Sequence, residues 1–276
     1  MQMKIILSRK GFDSGSGGRA SPILPDGTMV SLPIPSDSGN YTYEELSIPG
    51  NNNTLSYAEI LRCLNPKKAY NKCHLDPDIR SGLRKTSSDW AEAFGQIGAA
   101  QTHLDTHGIK EGDLFIFFGW FKKTEYHNGH LRYIRGAENI HAIYGYLQVG
   151  KILKNTNVKV LDWHPHSDDA HIYDKNGAIT NNTIYVASKH LSVDGFSSKM
   201  PGAGTLMFSE NRVLTAEGKS RSRWKLNDVF TNVNLSHHNN NCIKNDYFQS
   251  RCRGQEFVFD EDPRVIEWAK SIIIDS

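Results

Sequence analysis

The run Trp163-His164-Pro165-His166-Ser167-Asp168-Asp169 packs two imidazoles, two carboxylates and an indole into seven residues. On extended backbone, histidines two apart project to the same side, where they could share an ion or face one substrate, and Pro165 stiffens the presenting loop. His164 reads as a general base with His166 as its partner. A second group, Ser8-Arg9-Lys10-Gly11-Phe12-Asp13, puts two cations and a carboxylate just past a strand end. The N–H groups of the Gly/Ser run that follows could cradle a phosphate, with Arg9 and Lys10 supplying charge and Asp13 serving as a second candidate base or as a loop cap. The third group is Arg221-Ser222-Arg223-Trp224, preceded by Lys219. Guanidinium planes and an indole can stack on bases, and the guanidinium fork fits phosphate.

Residues 111–153 supply the scaffold for these groups. Two apolar, aromatic runs flank a polar insert that carries His127, His130, Arg132, Tyr133, Arg135 and His141. His130 and Arg132 are candidate substrate contacts from that insert, and Trp120, Tyr144 and Trp163 are candidate platforms for a flat ring. Tyr144 and Tyr146 share one strand face, whereas Gly145 leaves room for a ring on the other. Adjacent Cys73 and His74 point apart on any regular element, so they do not form a nucleophile pair.

Stepping outward, Lys4–Ser8 reads as a first strand and 9–35 as a Gly/Ser/Pro-rich excursion with a short alternating segment at 29–34. Residues 57–64 read as a helix behind Thr54 or Ser56, closed by Asn65-Pro66. Asp89 and Glu92 match a capping box, and Trp90, Ala93, Phe94, Ile97, Ala100 and Leu104 recur at helical spacing, which predicts a helix over 90–106. Strands are predicted at 113–121, 142–153, 159–163 and 183–187, with a short hairpin formed by 206–208 and 213–214. Asp262-Pro263 predicts a capped helix over 264–273. The segment 231–255 is polar and Asn-rich and reads as a long or partly disordered loop. Strand and helix do not alternate, so the expected class is α+β in a single domain over 1–276 rather than a doubly wound parallel sheet.

With 276 residues, 38% hydrophobic and 10% aromatic, the chain can bury a core, and its net charge of +2 is too mild to mark nucleic-acid binding without a local patch. Four cysteines, Cys63, Cys73, Cys242 and Cys252, form no Cys-x-x-Cys pair and read as reduced thiols. The N-terminus is too short in apolar residues for a signal peptide or membrane span, so a cytoplasmic protein without a membrane partner is expected.

Gly112-Asp113-Leu-Phe-Ile-Phe-Phe, followed by Ile143-Tyr-Gly-Tyr-Leu-Gln-Val-Gly-Lys-Ile, resembles the strand pair of PUA-like barrels, including the EVE and ASCH groups, which bind bases in a pocket. A longer match runs through Lys4-Ile-Ile-Leu-Ser-Arg-Lys-Gly-Phe-Asp, Pro22-Ile-Leu-Pro-Asp-Gly, Leu75-Asp-Pro-Asp, the 112–150 block, Trp163-His-Pro-His, Tyr185-Val-Ala-Ser and Arg221-Ser-Arg-Trp. That order resembles the nucleotide modification associated domain family, third type, a bacterial and phage family linked by gene context to DNA base modification. The resemblance implies a mixed, mainly antiparallel, barrel-like core with flanking helices. It also implies a partner that is a nucleotide or nucleic acid, DNA rather than RNA, recognised or processed in a DNA-modification or phage-defence setting. The alternative is a metal-dependent hydrolase built on His164, His166 and Asp168, since the run is similar to the His-x-His-x-Asp-His of metallo-β-lactamase-like enzymes. Asp169 stands where that pattern has its last His, so no metal ligands are assigned, and no cofactor is named.

Overall fold

The computed structural model describes residues 3–48, 55–193, 196–251 and 255–274. Thr54 and Cys252 lie outside them. Nine strands form the main sheet: β1 (Ile5–Arg9), β2 (Ser21–Ile23), β3 (Ala93–Ile97), β4 (Leu114–His127), β5 (His130–Tyr133), β6 (Ile140–Lys154), β7 (Asn182–Ala187), β8 (Ala203–Thr205) and β9 (Glu256–Val258). The path across it is β9-β1-β4-β6-β7-β3, with β2 and β5 on β4 and β8 on β6. β1 and β2 run parallel to β4, and the other pairs are antiparallel, so the sheet is mixed.

The long apolar runs of β4 and β6 follow from burial on both faces. Leu114, Ile116 and Phe118 pack with Ile5, Leu7, Trp224 and Phe257, while Phe115 and Phe117 pack with Ile6, Phe94, Leu104 and Tyr185. A strand covered on both sides reads as a continuous hydrophobic stretch instead of an alternating one. Gly112 launches β4 from a left-handed turn (φ 93°), and Asp113 pins the turn by accepting from the N–H groups of Lys4 (2.9 Å) and Lys110 (2.8 Å). Helix α1 (Tyr57–Leu64) starts behind Ser56, one of the two caps expected, which forms a capping box with Glu59. Helix α2 (Gly98–Thr106) buries Leu104, and helix α3 (Pro263–Ile273), capped by Asp262, covers the first face with Val265, Ala269, Ile272 and Ile273.

The sheet curls into a half-barrel whose two path ends, β3 and β9, meet through side chains. Gln96 of β3 donates to Glu256 of β9 at 2.6 Å, and among the described residues no backbone ladder joins these strands.

Three expectations are corrected. Residues 93–97 form strand β3, and only 98–106 are helical, because Phe94 fills the core between Phe115 and Tyr185 while Gly95 makes a close tertiary contact. Tertiary packing overrides the periodicity there. The strand predicted at 159–163 is absent: 155–160 form a 3-10 helix that leaves Val158 buried and Val160 exposed, and 161–163 are not a strand. Met207 bridges Thr28 and Val213 bridges Ala142, so 206–214 is no hairpin; a 3-10 turn at Glu210–Arg212 separates them. Within 231–255, the described part is ordered by the turn Asn240–Cys242 and by pairing of Phe248–Gln249 with Arg223–Trp224. Among the described residues no helix is long and apolar enough to cross a membrane.

Candidate functional site

His74 ends the short strand Lys72–His74, His166 sits in the 3-10 turn Pro165–Ser167, and His171 lies in the helical turn Asp169–Ile172. Each turn has a local cause. Pro165 pre-sets the first, with His166 N–H donating to His164 Nδ1 (3.2 Å), and Asp168 caps the second by accepting from His171 N–H (3.0 Å). The rings of His74, His166 and His171 converge at centroid separations of 5.1, 5.2 and 4.7 Å. One ligating atom from each lies within 4.8 Å of the others.

Two of these rings are held from behind. The Asn182 amide donates to the His166 carbonyl (2.8 Å), so its oxygen accepts from His166 Nδ1 (2.8 Å) and leaves Nε2 with the lone pair. Asp168 Oδ1 does the same for His171 Nδ1 at 2.6 Å. The His166 ring also lies directly on Gly95, where a Cβ would come within 2.4 Å of Cδ2.

Asp76 faces this group with a side chain 6% exposed. It accepts from Gly95 N–H at 2.7 Å and stands 3.6 Å from His164 Nε2 and 3.9 Å from His166 Nε2. Burial opposes its charge, but His164, His166 and Lys10 hold the carboxyl well below the usual range. Burial pushes His74 down to about 4 and His166 to about 3 against the pull of Asp76, so both imidazoles are neutral at pH 7. Lys10 is committed to Glu256 (2.9 Å), which also accepts from Ser8 and Gln96. The pocket these groups line has a volume of about 380 Å³ and includes Arg9, Asp13, His74, Asp76, His166 and His171.

A second pocket of about 380 Å³ shares Arg9 and Asp13 with the first and adds Trp120, His141, Arg221 and Arg251. The Arg221 guanidinium lies 4.1 Å over the Trp120 ring and donates to Ser14 Oγ. Asp13 accepts from the N–H groups of Gly15 (2.8 Å) and Ser16 (2.6 Å), so these amides, expected to cradle phosphate, are already used. Anion recognition here therefore falls to the arginines. A larger depression of about 510 Å³ around Lys123, Glu138, Glu210 and Lys225 holds charges of both signs without convergent imidazoles.

The structure thus places Arg9, Lys10, Asp13, Trp120, His166 and Arg221 on a pair of neighbouring pockets that share Arg9 and Asp13. His164 is fully buried behind them. Trp224 is also fully buried, its indole donating to His141, and Tyr144 is 2% exposed, so neither offers a stacking face. Trp163 packs against Trp90 and Arg84, and Arg223 stands over Tyr247 outside both pockets. His130 and Arg132 sit on the exposed β4–β5 hairpin, with Arg132 paired to Glu125. Asp168 serves His171 instead of completing a triad with His164 and His166. The residues missed were His74, Asp76 and His171; the five-residue step from His166 to His171 was the available signal.

A family model described as nucleotide modification associated domain 3 matches residues 4–260. The chain belongs to this family. Its match takes in every residue of the two pockets, and the family description gives the chain a role associated with nucleotide modification. No curated protein and no solved structure matches the chain significantly.

Proposed function

We propose that this nucleotide modification associated domain recognises a nucleotide unit along this pair of pockets and presents its base or sugar to the histidine pocket for processing. The phosphate would lie against Arg9, Arg221 and Arg251. The observation that carries this reading is that two pockets of contrasting chemistry, one rich in guanidinium and one in neutral imidazole, share Arg9 and Asp13 as a common wall. A guanidinium fork suits phosphate, and Arg221 is pre-oriented by its stack on Trp120 and its bond to Ser14. A modified base in DNA, in a DNA-modification or phage-defence setting, is the finer reading proposed, and the family description supports its nucleotide part. The Gly112-Asp113 turn that launches β4 and its antiparallel return in β6 support reading the half-barrel as PUA-like.

Titration with nucleoside phosphates and short oligonucleotides bearing plain or modified bases tests the reading. Losing a charge-assisted bond at Arg221→Ala should weaken binding about 10- to 100-fold and lower the salt slope for oligonucleotides by about 1. Equal binding by wild type and Arg221→Ala, or none by either, rejects it.

A further inference from the structure

We propose that His74, His166 and His171 form a metal centre for a divalent first-row transition ion, open to the pocket they line and flanked by the Asp76 carboxylate. Metal–nitrogen bonds of about 2.0–2.1 Å place ligand atoms roughly 3.3–3.5 Å apart, so ligand atoms already within 4.8 Å of one another need only a small adjustment. The backing of the rings is what separates this group from a chance cluster. His166 and His171 each give Nδ1 to an oxygen, of Asn182 and Asp168 respectively, and this fixes Nε2 as the free donor. Carboxylate or amide behind imidazole is the arrangement by which proteins orient histidine ligands to metals.

His103, His107 and His237 also stack, at 4.2 and 4.0 Å, but His107 Nδ1 is bonded to the His103 carbonyl and His103 Nε2 to Ser236. Among the described residues, only the first cluster brings one ligand atom from each of three residues within 4.8 Å of the others. At the first cluster the Nε2 atoms of His166 and His171 are left toward a pocket that also receives Asp76, 3.9 Å from His166 Nε2. Three nitrogens and an open side leave room for water or substrate on the ion, and nitrogen-rich ligation favours Zn²⁺, Fe²⁺, Co²⁺ or Ni²⁺ over Mg²⁺ or Ca²⁺. The ligand set differs from that of the alternative hydrolase reading, which used His164, His166 and Asp168: of these only His166 takes part, joined by His74 and His171.

The test uses untagged full-length protein loaded separately with Zn²⁺ and Co²⁺, freed of unbound ion by gel filtration, with metal measured by mass spectrometry and cobalt also by its visible absorption. Wild type should retain about one ion per chain and melt at a higher temperature when loaded. His74→Ala and His171→Ala should lose both effects, and Asp168→Asn and Asn182→Ala should weaken retention about 10- to 100-fold. His171 is half-buried in a short surface turn, so its variant keeps the fold, as circular dichroism will verify. Wild type without retained metal, or His171→Ala that binds as wild type does, overturns the proposal. The nucleotide reading is scored separately: Arg221→Ala should keep the metal and lose phosphate affinity, and metal loading is measured without nucleotide.

Discussion

At His141 the imidazole has no place for a second proton. It is 5% exposed, its Nδ1 accepts from the Trp224 indole at 3.1 Å, and Arg9 and Arg221 add positive charge beside it. Burial first, and those arginines second, push it down to about 3. The unfolded chain binds this proton near pH 6.5 and the folded chain does not until about pH 3, so stability falls as pH drops through that window. One such group contributes a loss of about 2 kcal/mol by pH 5. His103 and His238, both lowered to about 4 by burial, act in the same direction. The expected result is a melting temperature that declines from pH 7 to pH 5, with a shallower decline in His141→Gln, whose amide oxygen can still accept from Trp224. An identical pH profile in the variant would show that His141 is not the group responsible. At this scale Arg9, Trp120, His166 and Arg221 were legible in the sequence because each sits in a dense local motif. His74 and Asp76 were not, because their partners come from a segment some ninety residues away and single-chain spacing carries no record of that contact.

At the scale of elements, the informative case is β3. Its residues satisfy a helical pattern with Ala100 and Leu104, yet Ala93-Phe94-Gly95-Gln96-Ile97 must pair with β7, send Phe94 into the core and Gln96 to Glu256. By contrast α1 and α3 were legible to within a residue, since Ser56/Glu59 and Asp262-Pro263 fix their starts through local hydrogen bonds. Gly95 holds the key to the difference, because it lets the backbone of β3 touch the His166 ring. Its backbone is not left-handed, so Gly95→Ala is penalised by contact alone: the added Cβ would fall 2.4 Å from Cδ2 and 2.8 Å from Nε2. Overpacking of this kind costs about 1–3 kcal/mol. We expect chemical denaturation to show that loss together with weaker metal retention, as the ring is pushed off its Asn182 partner. Unchanged metal retention in a folded Gly95→Ala protein would mean that the strand does not set the ring's position.

For the whole molecule, the site lies where the curled sheet comes closest to closing. Glu256, 1% exposed, gathers Ser8 and Lys10 from the N-terminal strand region and Gln96 from β3, the last 160 residues away in sequence. No local pattern could announce that meeting, although the α+β class and four of the nine main strands, β1, β4, β6 and β7, were readable. Lys10 therefore has a structural duty before any ligand arrives: its ammonium balances a carboxylate in the seam and lies 4.3 Å over the Phe94 ring. Removing one member of a buried pair leaves the other charge uncompensated and costs about 3–5 kcal/mol, whereas replacing both by neutral groups of similar volume costs far less. Lys10→Met should thus be strongly destabilising in urea unfolding, and adding Glu256→Gln, which still accepts from Ser8 and Gln96, should restore most of the loss. If the two substitutions simply add, the seam is held by packing alone and the charge pair has no special part in closing the sheet.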